Sequence, residues 1–344
     1  MRILLIGGNG FIGSPLMREL LASGHEVAVF HRRADQNSAG ADVVQIQGDR
    51  NRISDYRDQL LRFSPDVIID VILSSGEQAR QLMETARGVA GRVVAVSSMD
   101  VYRAAGVWHG VEPGPLELLP LTEDSSLRTV RRLYPPETVT MMRGIFSWVN
   151  EDYDKIAVEE AIMNDPAVSG TVLRLPMVYG PGDRLHRWFP LIKRCTDGRR
   201  AILIPDDFAA WRAPRGYVDD VAYAIALAAT SEQAAGRIYN VCEEPAVSEL
   251  EWQTRIARQI NWPGRFVVLP RERTPKHLLP PGNVAQHLAA TSARIRIELG
   301  YKEPVDVEEA IRRTVAWEQQ NPPGTINLEQ FNYEAEDAAL AHAA

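Results

Sequence analysis

The sequence predicts an α/β fold built on a doubly wound parallel sheet, and three observations predict it. The chain opens on a short apolar run that turns into a helical pattern through three glycines. Strand-like and helix-like stretches then alternate as far as Ser98, the pattern of a parallel sheet whose ligand lies at the carboxyl ends of the strands. The third is length: 344 residues suffice for one large α/β domain and a smaller lobe.

Ile3 to Ile6 is fully apolar, too short for a helix and rich in branched residues, which suits a buried strand. Gly7, Gly10 and Gly13 follow three apart, and the helical spacing of Phe11, Ile12, Leu16, Leu20 and Leu21 begins inside the glycine run. Such a corner leaves unpaired backbone N–H groups aimed at one spot, where the helix dipole adds partial positive charge. A pyrophosphate is the natural guest. Gly7 permits the tight turn, Gly10 lets phosphates approach the backbone, and Gly13 lets the helix pack on the strand. Gly24 to His31 reads as a turn and second strand, completing a βαβ unit of about thirty residues. The expected ligand is a dinucleotide, bound by Gly7, Asn9, Gly10, Phe11, Ile12 and Gly13.

An acidic residue ending the second strand would accept hydrogen bonds from the adenosine ribose. His31, Arg32 and Arg33 stand there instead. Arginines suit a 2′-phosphate in charge and in donor geometry, so NADP is expected over NAD; a solvated basic turn is the plainer alternative.

Asp42 to Gln47 alternates as a third strand and ends at Gly48-Asp-Arg-Asn51. Asp49, with Arg50 beside it, sits where a strand end meets the adenine, or else caps a turn. A helix over 53–63, a strand over 66–70, a helix over 77–89 and a strand over 92–98 follow. From Tyr102 to Asn150 prolines are scattered and no long periodic segment appears, so a loop is expected, either a lid over the cofactor or a surface excursion. Glu151 to Met163 is helical, and Thr171 to Asp183 is a strand running into a turn-rich loop. Helices near 188–195, 248–260 and 307–320, a helical, alanine-rich segment led by Arg215 to Ala222 and running to Ala229, and strands at 201–204 and 237–242 complete the reading, with the tail past Pro323 frayed.

Hydrophobic residues at 45% and charged residues at 24% are ordinary for a globular protein. The net charge of −7 argues against an extended nucleic-acid surface. Cys195 and Cys242 are isolated, and the seven histidines show no metal-ligand spacing. The apolar start is too short for a signal peptide and no run approaches a membrane span, so a reducing cytoplasm is expected.

Five stretches in order carry a resemblance: Gly7-Gly-Asn-Gly-Phe-Ile-Gly13, Gly48-Asp-Arg50, Ser97-Ser-Met-Asp-Val-Tyr102, Leu173 to Asp183 and Arg215 to Ala222. The chain resembles an extended short-chain dehydrogenase/reductase of the NAD(P)-dependent, nucleotide-sugar epimerase/dehydratase group, over roughly residues 1–320. The resemblance implies a Rossmann domain over 1–175, completed by about 215–242, and a smaller substrate-binding lobe from 176–214 and 243–322. It implies hydride transfer at a hydroxyl or carbonyl carbon of a sugar-like or other small substrate, sugar nucleotides among the candidates. Pro176 then lies beside the cofactor, Ser98 polarises the substrate oxygen, and Arg215 holds a substrate diphosphate. A homodimer follows by analogy alone.

In that family a tyrosine precedes a lysine by four places, both on one helical face. The lysine holds the nicotinamide ribose and lowers the phenol pKa from about 10, so that the phenol relays a proton. Anchoring on Lys155, which is followed by Glu159, sets Glu151 at the tyrosine position; anchoring on Tyr153 sets Ala157 at the lysine position. Tyr153 and Lys155 would lie roughly 200° apart on a helix and converge only if the helix begins after Tyr153. Glu151 or Asp100 is the alternative proton carrier, although Met99 departs from the dehydratase pattern; a phenol from the loop, Tyr102 or Tyr134, is the third. A salt bridge between Glu151 and Lys155 is the plain alternative. The missing pair also leaves open a dinucleotide-binding sensor or scaffold, including an RNA-associated one, without hydride chemistry.

Overall fold

The computed structural model describes residues 1–32 and 43–342. Arg33 and Asp42, expected at the cofactor and at the start of the third strand, lie outside the described residues.

The strands, in chain order, are β1 (Arg2–Ile6), β2 (Glu26–His31), β3 (Val44–Gln47), β4 (Val67–Asp70), β5 (Arg92–Ser98), β6 (Ser169–Leu175), β7 (Met177–Tyr179), β8 (Ala201–Pro205), β9 (Arg215–Tyr217), β10 (Arg237–Asn240) and β11 (Arg265–Leu269). Seven of them form one parallel sheet in the order β10-β6-β5-β4-β1-β2-β3. The chain runs outward from β1 to β3, then crosses back to β4, so the crevice between the carboxyl ends of β1 and β4 is the switch point where such sheets bind ligands. This is a Rossmann-type α/β fold.

The helices are α1 (Gly13–Ala22), α2 (Arg57–Phe63), α3 (Gly76–Ala86), α4 (Arg103–Trp108), α5 (Pro136–Ile145), α6 (Lys155–Met163), α7 (Phe189–Thr196), α8 (Asp206–Ala209), α9 (Val218–Thr230), α10 (Glu249–Gln259), α11 (Ala293–Leu299), α12 (Val307–Gln320) and α13 (Tyr333–Ala341). They cover both faces of the sheet. On one face Ile3 and Leu5 of β1 pack with Leu16 and Leu20 of α1 and Val221 and Ile225 of α9. On the other, Leu4 and Ile6 pack with Leu82 and Met83 of α3 and Val158 and Ile162 of α6. Successive β1 residues thus enter opposite cores, which is why that strand is apolar throughout. Each such side chain, fully buried, contributes roughly 1.5–3 kcal/mol.

Beyond the sheet, β8 pairs with β11 and β7 with β9, both parallel. Neither β9 nor β11 is anticipated from the sequence. The stretch read as a loop holds α4 and α5, and α5 buries no residue, so it carries no apolar stripe to read. The tail past Pro323, expected to fray, is instead helical over Tyr333–Ala341. Glu336 anchors it, fully buried and bonded to Arg194 at 2.8 Å and His277 at 3.0 Å. Among the described residues no helix is long and apolar enough to cross a membrane.

Candidate active site

The glycine corner is built as its residues require. Gly7 has φ +89°, and a Cβ there would meet Ile72 and Val71 at 2.7 and 2.8 Å. A Cβ on Gly13 would lie 2.0 Å from the Gly7 carbonyl oxygen, so α1 reaches β1 only because that position is bare. The turn opens on a cavity of about 1180 Å³, lined by Gly7, Asn9, Gly10, Phe11, Ile12 and Gly13.

Arg32, Asp49, Arg50 and Pro176 line the same cavity. Arg32 is exposed and donates to Ser147 Oγ at 2.6 Å. Asp49 Oδ1 accepts from the Asn51 amide at 3.0 Å, so it caps the turn while facing the cavity. Arg50 is buried and paired with Asp70 at 2.9 Å, its Nε and Nη1 unpartnered. Asn9 Oδ1 and both His31 ring nitrogens, on residues that also line the cavity, are buried without partners among the described residues. A cavity of this size, bare glycines at a helix start and orphaned polar atoms fit a dinucleotide.

The proton-handling groups sit where β4, β5 and α6 meet. Asp154 caps α6, its Oδ1 accepting from the Ile156 and Ala157 amides at 3.0 and 3.2 Å, with its own backbone extended. The helix therefore begins at Lys155, and Tyr153 stands ahead of it, free of the helical rotation that would separate the two. Both side chains line the dinucleotide cavity, Lys155 Nζ lying 5.9 Å from the centre of the Tyr153 ring.

Lys155 is buried, and Nζ donates to the carbonyl oxygens of Leu73 and Val96. Burial pushes its pKa down to about 8 against the opposing pull of Asp100, Asp70 and Glu159. Tyr153 and Tyr134 both donate to Asp100 Oδ2, at 3.0 and 3.3 Å. Burial first, then the Asp100 charge, holds both phenols well above the usual tyrosine range. Asp100 Oδ1 is buried and unpartnered. Ser98 lines the cavity, and its Oγ accepts from the Asp100 amide at 3.2 Å.

Three expected residues stand elsewhere. Glu151 is 73% exposed, paired with Arg143 of α5, and does not line the cavity. Because 151–153 precede the helix, the four-residue spacing to Lys155 has no helical meaning. No Glu151–Lys155 bridge forms. Arg215 is buried and paired with Glu249, its guanidinium 4.7 Å above the Trp252 ring. It lines a second cavity, of about 390 Å³, and not the dinucleotide cavity. Tyr102 is also remote, buried against Asn240 and Arg174.

The stretch over 102–150, expected as a loop that is either a lid over the cofactor or a surface excursion, brings Met142 of α5 and Phe146 and Trp148 after it to the large cavity, and sequence reasoning singled out none of these three residues. It also missed the cap. An aspartate immediately before the periodic residues was a readable start signal.

Fold and site together define a dinucleotide-binding α/β protein of the extended short-chain dehydrogenase/reductase type. The profile of the NAD dependent epimerase/dehydratase family matches residues 3–107 and 150–242, more than half of the chain, and the chain belongs to that family. It is 25% identical over 299 residues to the 2'-dehydrokanamycin reductase of Streptomyces kanamyceticus, covering 85% of this chain and 75% of that one. It is 23% identical over 330 residues to the chloroplast stem-loop binding protein of 41 kDa b of Arabidopsis thaliana, covering 90% and 77%. The UDP-glucuronic acid 4-epimerase from Bacillus cereus, solved with UDP-glucuronic acid and NAD, superposes with a TM-score of 0.66 at 17% identity over 93% of this chain and 99% of that one. That likeness shows the shared fold.

Proposed function

We propose that the protein is an NADP(H)-preferring oxidoreductase that reduces a carbonyl carbon, or oxidises the matching alcohol, in a small substrate. The observation that carries this reading is the start of α6 at Lys155, which lets Tyr153 and Lys155 face one cavity despite their spacing. The glycine corner, Asn9 and Pro176 would hold the dinucleotide, with Asp49 and Arg50 toward its adenine end and Arg32 and Arg33 toward a 2′-phosphate. When bound, that group supplies or accepts hydride at its nicotinamide ring.

The chain supplies the proton and the orientation. Tyr153 holds a proton at its Oη, and the raised pKa keeps it there until a developing alkoxide, a stronger base than phenolate, draws it off. Lys155 places a positive charge beside the phenolate so formed, and Ser98 polarises the substrate oxygen. Asp100 and Tyr134 position the Tyr153 ring. Segments 176–214 and 243–322 form the substrate lobe, with 1–175 and 215–242 the dinucleotide domain.

Turnover of a carbonyl panel with NADPH tests this. Tyr153→Phe lowers kcat by about a hundredfold or more with NADPH affinity retained, and Glu151→Gln changes little. The converse pattern overturns the assignment. Arg32→Ala with Arg33→Ala erodes the preference for NADPH over NADH; unchanged selectivity overturns the cofactor preference.

The likeness to the Arabidopsis protein supports a second reading, an RNA-associated dinucleotide binder without hydride transfer. Tight NADPH binding with no turnover, together with retention of stem-loop RNA in a gel-shift assay, selects it over the first.

A further inference from the structure

The smaller cavity shares Val178 and Arg187 with the dinucleotide cavity, so the two adjoin. Its walls are mostly apolar and include six aromatic side chains: Trp108, Tyr179, Trp188, Phe208, Trp211 and Trp252. A run of ring contacts leads to it from the phenol beside Lys155. Tyr153 meets Tyr134 at 5.8 Å, Tyr134 meets His109 at 5.2 Å, and His109 meets Trp108 at 4.6 Å. Trp108 then meets Trp211 at 5.9 Å, and Trp211 stacks on Phe208 at 5.6 Å with the planes 29° apart. Elsewhere in the lining Tyr179 stacks on Trp188 at 4.9 Å and meets Trp252 edge-on at 5.3 Å. Gly282 lies flat on the Trp108 indole, where a Cβ would come within 2.2 Å.

The charged groups of this cavity are already matched. Arg187 pairs with Asp183 at 2.7 Å, Arg194 with Glu336 at 2.8 Å, and Arg215 with Glu249. Gln253 donates to the same Glu249 at 3.0 Å. Among the described residues lining it, every carboxylate, amide and guanidinium thus has a partner within the protein. A diphosphate would have to displace one of these carboxylates or lie against it, at the cost of leaving a buried charge unpaired. Among the described residues of the lining, the indole N–H groups of Trp108 and Trp252 are buried without partners, donors that suit a carbonyl oxygen. Aromatic faces, by contrast, receive a flat ring through offset and edge contacts, and the volume lies in the range of small-molecule pockets, ~300–1,000 Å³.

We propose that this cavity takes the ring of an uncharged aromatic aldehyde or ketone, and not a sugar nucleotide, with the carbonyl directed toward Tyr153. The inference rests on the hydride-transfer reading above and narrows its substrate.

Calorimetry with NADP⁺ bound separates binding from turnover, and NADPH oxidation is followed in parallel. Cinnamaldehyde binds the wild-type protein, UDP-glucose gives no binding heat, and Phe208→Ala weakens cinnamaldehyde about tenfold with dinucleotide affinity unchanged. Phe208→Leu, which keeps most of the volume and removes the ring, weakens it in the same sense and covers the case in which the alanine variant does not fold. UDP-glucose binding in place of cinnamaldehyde, or cinnamaldehyde binding indifferent to both substitutions, overturns the substrate class and leaves hydride transfer standing. Cinnamaldehyde binding that depends on Phe208 without any NADPH oxidation supports the ring site and removes the hydride reading.

Discussion

Lys155 is a cation held in surroundings that resist it. Two backbone carbonyls accept from its ammonium, and burial pushes its pKa from the usual 10.5 to about 8. Two pH effects of opposite sign follow. Between about 8 and 10.4 the unfolded chain binds the lysine proton and the folded chain does not, so stability rises with pH through that window. The positive charge beside the Tyr153 phenol is lost over the first part of the same window, so kcat/KM falls as pH passes about 8. Urea unfolding at successive pH values and a kcat/KM profile should therefore move in opposite directions. Lys155→Met should abolish the rise in stability; a rise that survives it belongs to another group.

At the scale of an element, the position of one helix start decides which residues meet. Asp154 supplies the α6 cap, and capping aspartates are worth ~1 kcal/mol. Asp154→Ala should lose about that much stability and, by letting the start of α6 shift, lower kcat further than the stability loss accounts for. Asp154→Asn, which can still accept both amides, should restore kcat. Equal behaviour of the two variants would mean that the cap does not place Tyr153. Unbroken apolar runs make β1, β4 and β5 readable because each strand faces two cores. The phase of α6 was not readable from the Lys155–Glu159 spacing, since that spacing says nothing of where the helix begins; Asp154 did. Helix α5, with no buried face, and β9, three residues long, leave no periodicity to detect.

Across the whole molecule, the glycine corner is written locally and the smaller cavity is not. The glycine corner lies within 13 consecutive residues, whereas Arg194 and Glu336, which secure one wall of the smaller cavity, are 142 positions apart. No sequence pattern links such a pair, and the segment that carries Glu336 looks like a polar tail. Its carboxylate is fully buried, bonded to Arg194 and His277, with Arg199 at 3.9 Å. Removing one member of a buried ion pair costs ~3–5 kcal/mol because the partner charge is left behind. Glu336→Gln should therefore lower the unfolding temperature and weaken ligands of the smaller cavity, which Arg194 lines. Dinucleotide affinity should hold, since neither residue touches that cavity. Scanning calorimetry with and without NADPH reads both effects: the stabilisation by NADPH should persist in the variant from a lower starting temperature. Loss of that stabilisation would show that α13 supports the dinucleotide cavity as well as the smaller one.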